Sequence, residues 1–100
     1  MTGLPLRNQI GDGNDKDVVK LFEGSARRII QITLRNGAVL EKHSAPVPIT
    51  IQCVAGSGTL VVANQSLGLV PGTLVTLEPD EVHEIRSKPA VSILLTQFVR

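Results

Sequence analysis

Short apolar runs, each ended by turn residues, follow one another along most of the chain. In residues 28–35 apolar side chains recur at every second position, which is the period of a half-buried β-strand. Asn36-Gly37 comes directly after this run, and that dipeptide favours a tight hairpin turn. The pattern predicts an all-β fold of about nine strands without a substantial helix, as in a sandwich or barrel. The predicted strands cover residues 18–22, 28–35, 39–42, 49–55, 59–63, 66–70, 73–77, 82–86 and 90–99.

The first seventeen residues lack this alternation. They contain three glycines and a Gly11-Asp12-Gly13-Asn14-Asp15 stretch, which is typical of loops. We therefore expect a flexible N-terminal lead-in over residues 1–17 and one β-barrel domain over residues 18–100.

Composition excludes several classes of function. The chain has 100 residues, enough for one domain, with 42% hydrophobic and 19% charged residues. A net charge of +1 and only two aromatic residues argue against nucleic-acid binding, which uses basic surfaces and aromatic stacking. No apolar run approaches the roughly 20 residues of a membrane helix. Cys53 is the only cysteine, which is typical of a reducing compartment, and a cytoplasmic protein without membrane or nucleic-acid partners is expected.

Two segments carry the chemistry-bearing residues. The segment from Gly37 reads GAVLEKHSAPVPITIQCVAG and contains His43, while the segment from Gly72 reads GTLVTLEPDEVH and ends at His83. They resemble the two motifs of the cupin superfamily, G-x5-H-x-H-x3-E-x6-G and G-x5-P-x-G-x2-H-x3-N. The glycines at 37, 56 and 72 and both histidines match the corresponding motif positions.

The His43-Ser44-Ala45-Pro46 run is similar to a branch of small single-domain cupins whose function is mostly unassigned. The resemblance covers about residues 19–100 and implies a double-stranded β-helix, the cupin jelly-roll barrel. It also implies a pocket inside the barrel that holds His43 and His83.

Metal-binding cupins use three histidines and a glutamate around iron, manganese, nickel or zinc. In this chain Ala45 and Ile49 occupy two of those four positions, so the resemblance carries a divalent-metal role only to His43 and His83. Glu41 and Glu81 are weaker extra candidates, because residues two apart in an extended chain share a face. We expect no tightly held divalent ion with full cupin coordination, because two imidazoles make a poor divalent site.

Three functions stay open at this point. The first is binding of a small molecule in the barrel, with polar contacts from the two histidines and an apolar wall from Ile49, Ile51 and Cys53. The second is a metal-dependent enzyme, such as a dioxygenase or isomerase acting on a small organic substrate. The third is a structural dimer with a vestigial pocket. The residues do not decide whether a reaction is catalysed, or on what.

A homodimer is the expected assembly. Open sheet edges attract partners unless charge, proline or another chain covers them. Residues 18–22 and 90–99 are the candidate contact strands, since the second carries apolar side chains on both faces. The alternative is that the N-terminal segment folds back and covers that face within one chain.

Overall fold

The computed structural model describes residues 1–99, and their regular structure consists of antiparallel β-strands. No helix occurs among these residues, so the all-β prediction is confirmed. Accordingly, residues 1–99 include no helix long and apolar enough to cross a membrane. The strands are β1 (Lys16–Glu23), β2 (Arg27–Leu34), β3 (Val39–His43), β4 (Ile49–Val62), β5 (Gln65–Leu69), β6 (Leu74–Leu77) and β7 (His83–Phe98).

Two long strands, β4 and β7, pair with each other and run through both halves of one seven-stranded sheet. The first half of β4 pairs with β6 and with the second half of β7. That half of β7 also pairs with β2, which in turn pairs with β1. The second half of β4 pairs with β5 and with the first half of β7, which also pairs with β3. Side chains from both halves of the sheet form one core cluster.

The structure has seven strands instead of nine because the breaks expected between the predicted strands 49–55 and 59–63, and between 82–86 and 90–99, lie inside the long strands β4 and β7. Residues 56–58 lie within β4, where the pairing register with β7 shifts. Gly56 has φ +74°, and a Cβ atom at this position would come within 2.2 Å of the carbonyl oxygen of Ala90. The glycine therefore permits the bulge at which the register of β4 with β7 shifts. Residues 88–89, in the second of these expected breaks, lie opposite this bulge within β7.

The core consists of aliphatic side chains that alternate along the paired strands. Ile51, Ile85 and Ile93 are fully buried, and each aliphatic side chain buried in this way contributes about 1.5–3 kcal/mol. Branched aliphatic residues suit this site because they fill a pleated surface without needing polar partners. The other buried apolar residues are Ile32, Leu34, Ile49, Cys53, Ala55, Leu60, Leu69, Leu77, Val91 and Leu95.

The segment that precedes β1 lies against the outer face of β2. The side-chain amide of Gln31 accepts a hydrogen bond from the backbone N–H of Arg7 at 3.0 Å and donates one to its carbonyl oxygen at 2.7 Å. The buried guanidinium of Arg35 donates to the carbonyl oxygens of Ile10, Gly11 and Asn14. These contacts cover part of the outer face within one chain, while the expected flexibility of residues 1–17 stays a prediction.

Candidate functional site

The register of β3, β7 and β4 brings His43, His83 and Val62 into one row. His43 pairs with His83 across β3 and β7, and His83 pairs with Val62 across β7 and β4. Directly paired residues of neighbouring strands point to the same face of a sheet. The two imidazole rings lie 4.1 Å apart between centroids and are tilted by 59°. The structure therefore places the two predicted site histidines side by side, with His43 exposed and His83 buried.

Backbone carbonyl groups fix the tautomers of both rings. Nδ1 of His43 lies 2.8 Å from the carbonyl oxygen of Glu41, and Nδ1 of His83 lies 3.0 Å from that of Glu81. A carbonyl oxygen can only accept a hydrogen bond, so Nδ1 carries the proton in each ring. In the neutral ring the remaining nitrogen, Nε2, then holds a free lone pair. Each histidine is therefore an acceptor at Nε2.

His83 is held in its neutral form by its surroundings. It is 2% exposed, and burial lowers its pKa below the usual value because the charged imidazolium loses hydration. The nearby His43 also lowers this pKa, while the hydrogen bond to the Glu81 carbonyl and the Glu81 charge act in the opposite direction. Nε2 of His83 is buried and has no hydrogen-bond partner among the described residues. A buried acceptor without a partner costs about 1–3 kcal/mol.

A cavity of about 490 Å³ opens beside this row, between β4, β5, β6 and the loop before β7. Val62, the cross-strand neighbour of His83, belongs to its wall, and Glu81 is the only charged residue among those that line it. Most of the wall is aliphatic, with Gln65 and Ser66 as neutral polar groups. The complete lining consists of Leu60, Val62, Gln65, Ser66, Leu67, Val75, Leu77 and Glu81.

The three predicted wall residues lie in the packed core instead. Ile49, Ile51 and Cys53 share one face of β4, as the alternation predicts, and are 0–2% exposed. None of them lines the cavity, but Ile49 and Ile51 pair with Leu77 and Val75 of β6, which do. Burial also raises the pKa of the Cys53 thiol, so this group remains protonated and inert as a nucleophile at neutral pH. Their role in ligand binding stays a prediction.

A smaller groove of about 100 Å³ touches the other side of the same strands. It is lined by Lys42, Val61, Ala63, Val82 and His83. Val61 alternates with Val62 along β4 and therefore points to the opposite face. The His83 side chain points to the same face as its cross-strand partner Val62. We therefore assign His83 to the face of the larger cavity, which Val62 lines, and not to the face of this groove.

The donor set does not complete a divalent-metal site. No cluster of three or more His, Cys, Asp or Glu side chains able to hold a metal occurs in residues 1–99. Glu41 is exposed, and Oε1 of Glu81 already accepts a hydrogen bond from the backbone N–H of Glu78 at 3.0 Å. The two free Nε2 lone pairs suit a metal, but full coordination needs a third protein ligand. The residues present therefore do not fit the four-ligand centre.

No protein-family model matches the chain, and no curated protein matches it. Solved structures do match. A cupin superfamily protein from Desulfitobacterium hafniense aligns with a TM-score of 0.83 at 14% identity, over 90% of this chain and 83% of that one. An RmlC-like cupin with a double-stranded β-helix fold from Methanocaldococcus jannaschii aligns with a TM-score of 0.80 at 18% identity, over 98% and 90%.

An enzyme also shares the fold. The DMSP lyase DddQ from Ruegeria pomeroyi aligns with a TM-score of 0.77 at 14% identity, over 84% of this chain and 47% of the lyase. Identities this low define the fold alone, because one fold supports many activities. The chain has the cupin jelly-roll fold, and the resemblance that the two sequence motifs indicated is confirmed at that level.

Proposed function

We propose that this protein binds a small molecule in the cavity beside His83. One observation carries the proposal: an aliphatic cavity of about 490 Å³ is lined by Val62, the cross-strand neighbour of His83, whose buried Nε2 has no partner among the described residues. Small-molecule sites typically combine an apolar wall with a few polar groups. A ligand that donates to Nε2 removes the cost of the unpaired acceptor and gains the burial of its own apolar part. The body of the ligand lies against Val62, Val75 and Leu77, and its polar end points to the two histidines, His43 and His83.

A fragment screen monitored by methyl NMR tests this proposal. Binding fragments are expected to shift the methyl signals of Leu60, Val62 and Val75 saturably. Leu67→Trp fills the cavity from its exposed rim and is expected to abolish binding, because Leu67 lines the cavity. Leu74→Trp is the matched control, since Leu74 is exposed on β6 and lines no cavity described for this chain. Fragments that bind the Leu67→Trp protein unchanged would contradict the proposed site.

The second candidate function is a metal-dependent enzyme. The observation in its favour is the orientation of the two imidazoles, because metal-ligating histidines commonly donate from their other ring nitrogen to a carbonyl group. The absence of a third ligand in the first cupin motif, where Ala45 and Ile49 stand, counts against it. The third candidate, a structural dimer with a vestigial pocket, is disfavoured by the open cavity.

We also propose that two copies form a homodimer through the outer edge of β1. This strand pairs only with β2, so its other edge has free backbone groups, which readily pair with a further strand. Val18 and Val19 are 62% and 46% exposed there. Antiparallel self-pairing about these two valines sets Asp17 opposite Lys20 of the second copy, and opposite charges facing each other stabilise a strand pair.

We propose a cytoplasmic location on the basis of cysteine usage. Cys53 is a free, buried thiol, and a chain that relies on no disulfide is suited to a reducing compartment. Cell fractionation followed by immunoblotting tests this, and recovery of the protein in the extracellular fraction would contradict it.

A further inference from the structure

The described residues around the histidine row present acceptors and negative charge to a bound molecule. The tautomers leave a free lone pair on Nε2 of His43 and of His83. Glu81 adds a carboxylate to the cavity wall, and no lysine or arginine lines this cavity within residues 1–99. The site thus supplies what a hydrogen-bond donor or a cation needs, and little that an anion needs.

Glu81 links the two halves of this arrangement. Its carbonyl oxygen accepts a hydrogen bond from Nδ1 of His83, which leaves Nε2 as the acceptor, and Glu81 is also a lining residue of the cavity. A hydrogen bond from the Glu78 backbone N–H holds that carboxylate in place. One loop residue therefore sets both the tautomer of the buried histidine and the charge of the wall.

From these contacts we propose that the ligand carries a hydrogen-bond donor at its polar end, an ammonium group in preference to a neutral hydroxyl, and that carboxylates are rejected. This rests on the proposed small-molecule function of the same cavity and adds the chemical class of the ligand. An amine donates to Nε2 of His83 and is attracted by Glu81. A carboxylate of the same size sets its lone pairs against the Nε2 lone pair and its charge against Glu81.

Three probes of equal ring size test the inference at pH 7.5: benzylamine, benzyl alcohol and benzoate. We expect binding in that order of affinity, with benzylamine at least about tenfold tighter than benzoate, the effect of one charge-assisted hydrogen bond. His83→Phe removes the acceptor and retains an aromatic ring, and it is expected to reduce the ratio of benzylamine to benzoate affinity, while Glu81 still favours the amine. Lys42→Ala is the control, since Lys42 lines the smaller groove and not the cavity, and it is expected to keep the wild-type order of affinities.

The outcomes separate this inference from the proposed function. Benzoate binding as tightly as benzylamine overturns donor selectivity while the cavity remains a binding site. Failure of all three probes to bind at millimolar concentration removes the proposed function and the inference with it. Long-range ¹H–¹⁵N spectra of the imidazoles give a test that needs no ligand: a proton on Nδ1 of both rings is expected, and a proton on Nε2 of His83 overturns the inference.

Discussion

Lowering the pH is expected to destabilise the protein through His83. In the folded chain burial keeps this imidazole neutral, so its pKa lies below the usual value of 6.5. The unfolded chain exposes the ring, which takes up a proton near pH 6.5. Between the unfolded and the folded pKa the unfolded state binds more protons, so the free energy of unfolding falls with falling pH. The contribution is complete above pH 6.5 and decreases until the folded pKa is reached.

The loss of free energy of unfolding through His83 has an upper limit. One proton of difference changes the free energy of unfolding by about 1.4 kcal/mol per pH unit, so a ring that stays neutral down to pH 5 gives a loss of about 2 kcal/mol there. This is a readily measured part of the roughly 5–15 kcal/mol that stabilises a small domain. Hydrogen bonds and cationic partners lower the pKa of the carboxyl groups of Asp17 and Glu23. Their stabilisation is lost at lower pH, outside this window.

Urea unfolding at pH 8, 7, 6 and 5 measures the effect. The His83→Gln variant removes the titrating ring, so its stability is expected to vary less between pH 7 and 5 than that of the wild type. His43→Gln is the control, because it keeps the buried ring and removes only the smaller contribution of His43 to its lowered pKa, so it is expected to retain most of the wild-type slope. An unchanged slope in His83→Gln would refute the assignment of the acid sensitivity to His83.

Three further predictions concern the fold, the metal content and the assembly. Gly56→Ala is expected to lower the free energy of unfolding in urea by about 3 kcal/mol, because a positive φ and a contact of 2.2 Å with the Ala90 carbonyl oxygen both oppose a side chain. Gly68→Ala, at a position with open space around it, is the control and is expected to change little. Equal effects of the two substitutions would contradict the bulge. Elemental analysis of protein purified without added metal or chelator is expected to give well under one transition-metal ion per chain, and a stoichiometric metal would favour the enzyme alternative. Light scattering at micromolar concentration is expected to give the mass of a dimer, and Val18→Lys that of a monomer; a monomeric wild type would rule out the dimer.

The sequence predicted the class of fold from local alternation, and the resemblance to the two cupin motifs implied that His43 and His83 lie close together, as the structure places them. It did not predict that β4 passes through residues 56–58 unbroken. A Gly-Ser-Gly stretch has the same local chemistry in a turn and in a bulge, and the partner strand decides between them.

The predicted wall residues and the residues that line the cavity lie on neighbouring strands, and whether Ile49, Ile51 and Cys53 contact a ligand stays a prediction. Alternation correctly placed Ile49, Ile51 and Cys53 on one face, but it cannot show whether a packed core or an open space lies above that face. β6 pairs with β4 there, and its Val75 and Leu77, the cross-strand partners of Ile51 and Ile49, line the cavity. The apolar positions of β6 were a usable signal, although only the pairing of β6 with β4 shows which face they cover.

Intermolecular nuclear Overhauser effects between a bound fragment and the protein test the central claim most directly. The account predicts contacts from the fragment to the methyl groups of Val62 and Val75 and to the ring protons of His83. Contacts confined to Val61 and Val82, which line the smaller groove, would place the ligand on the opposite face of the strands from the cavity and contradict the account.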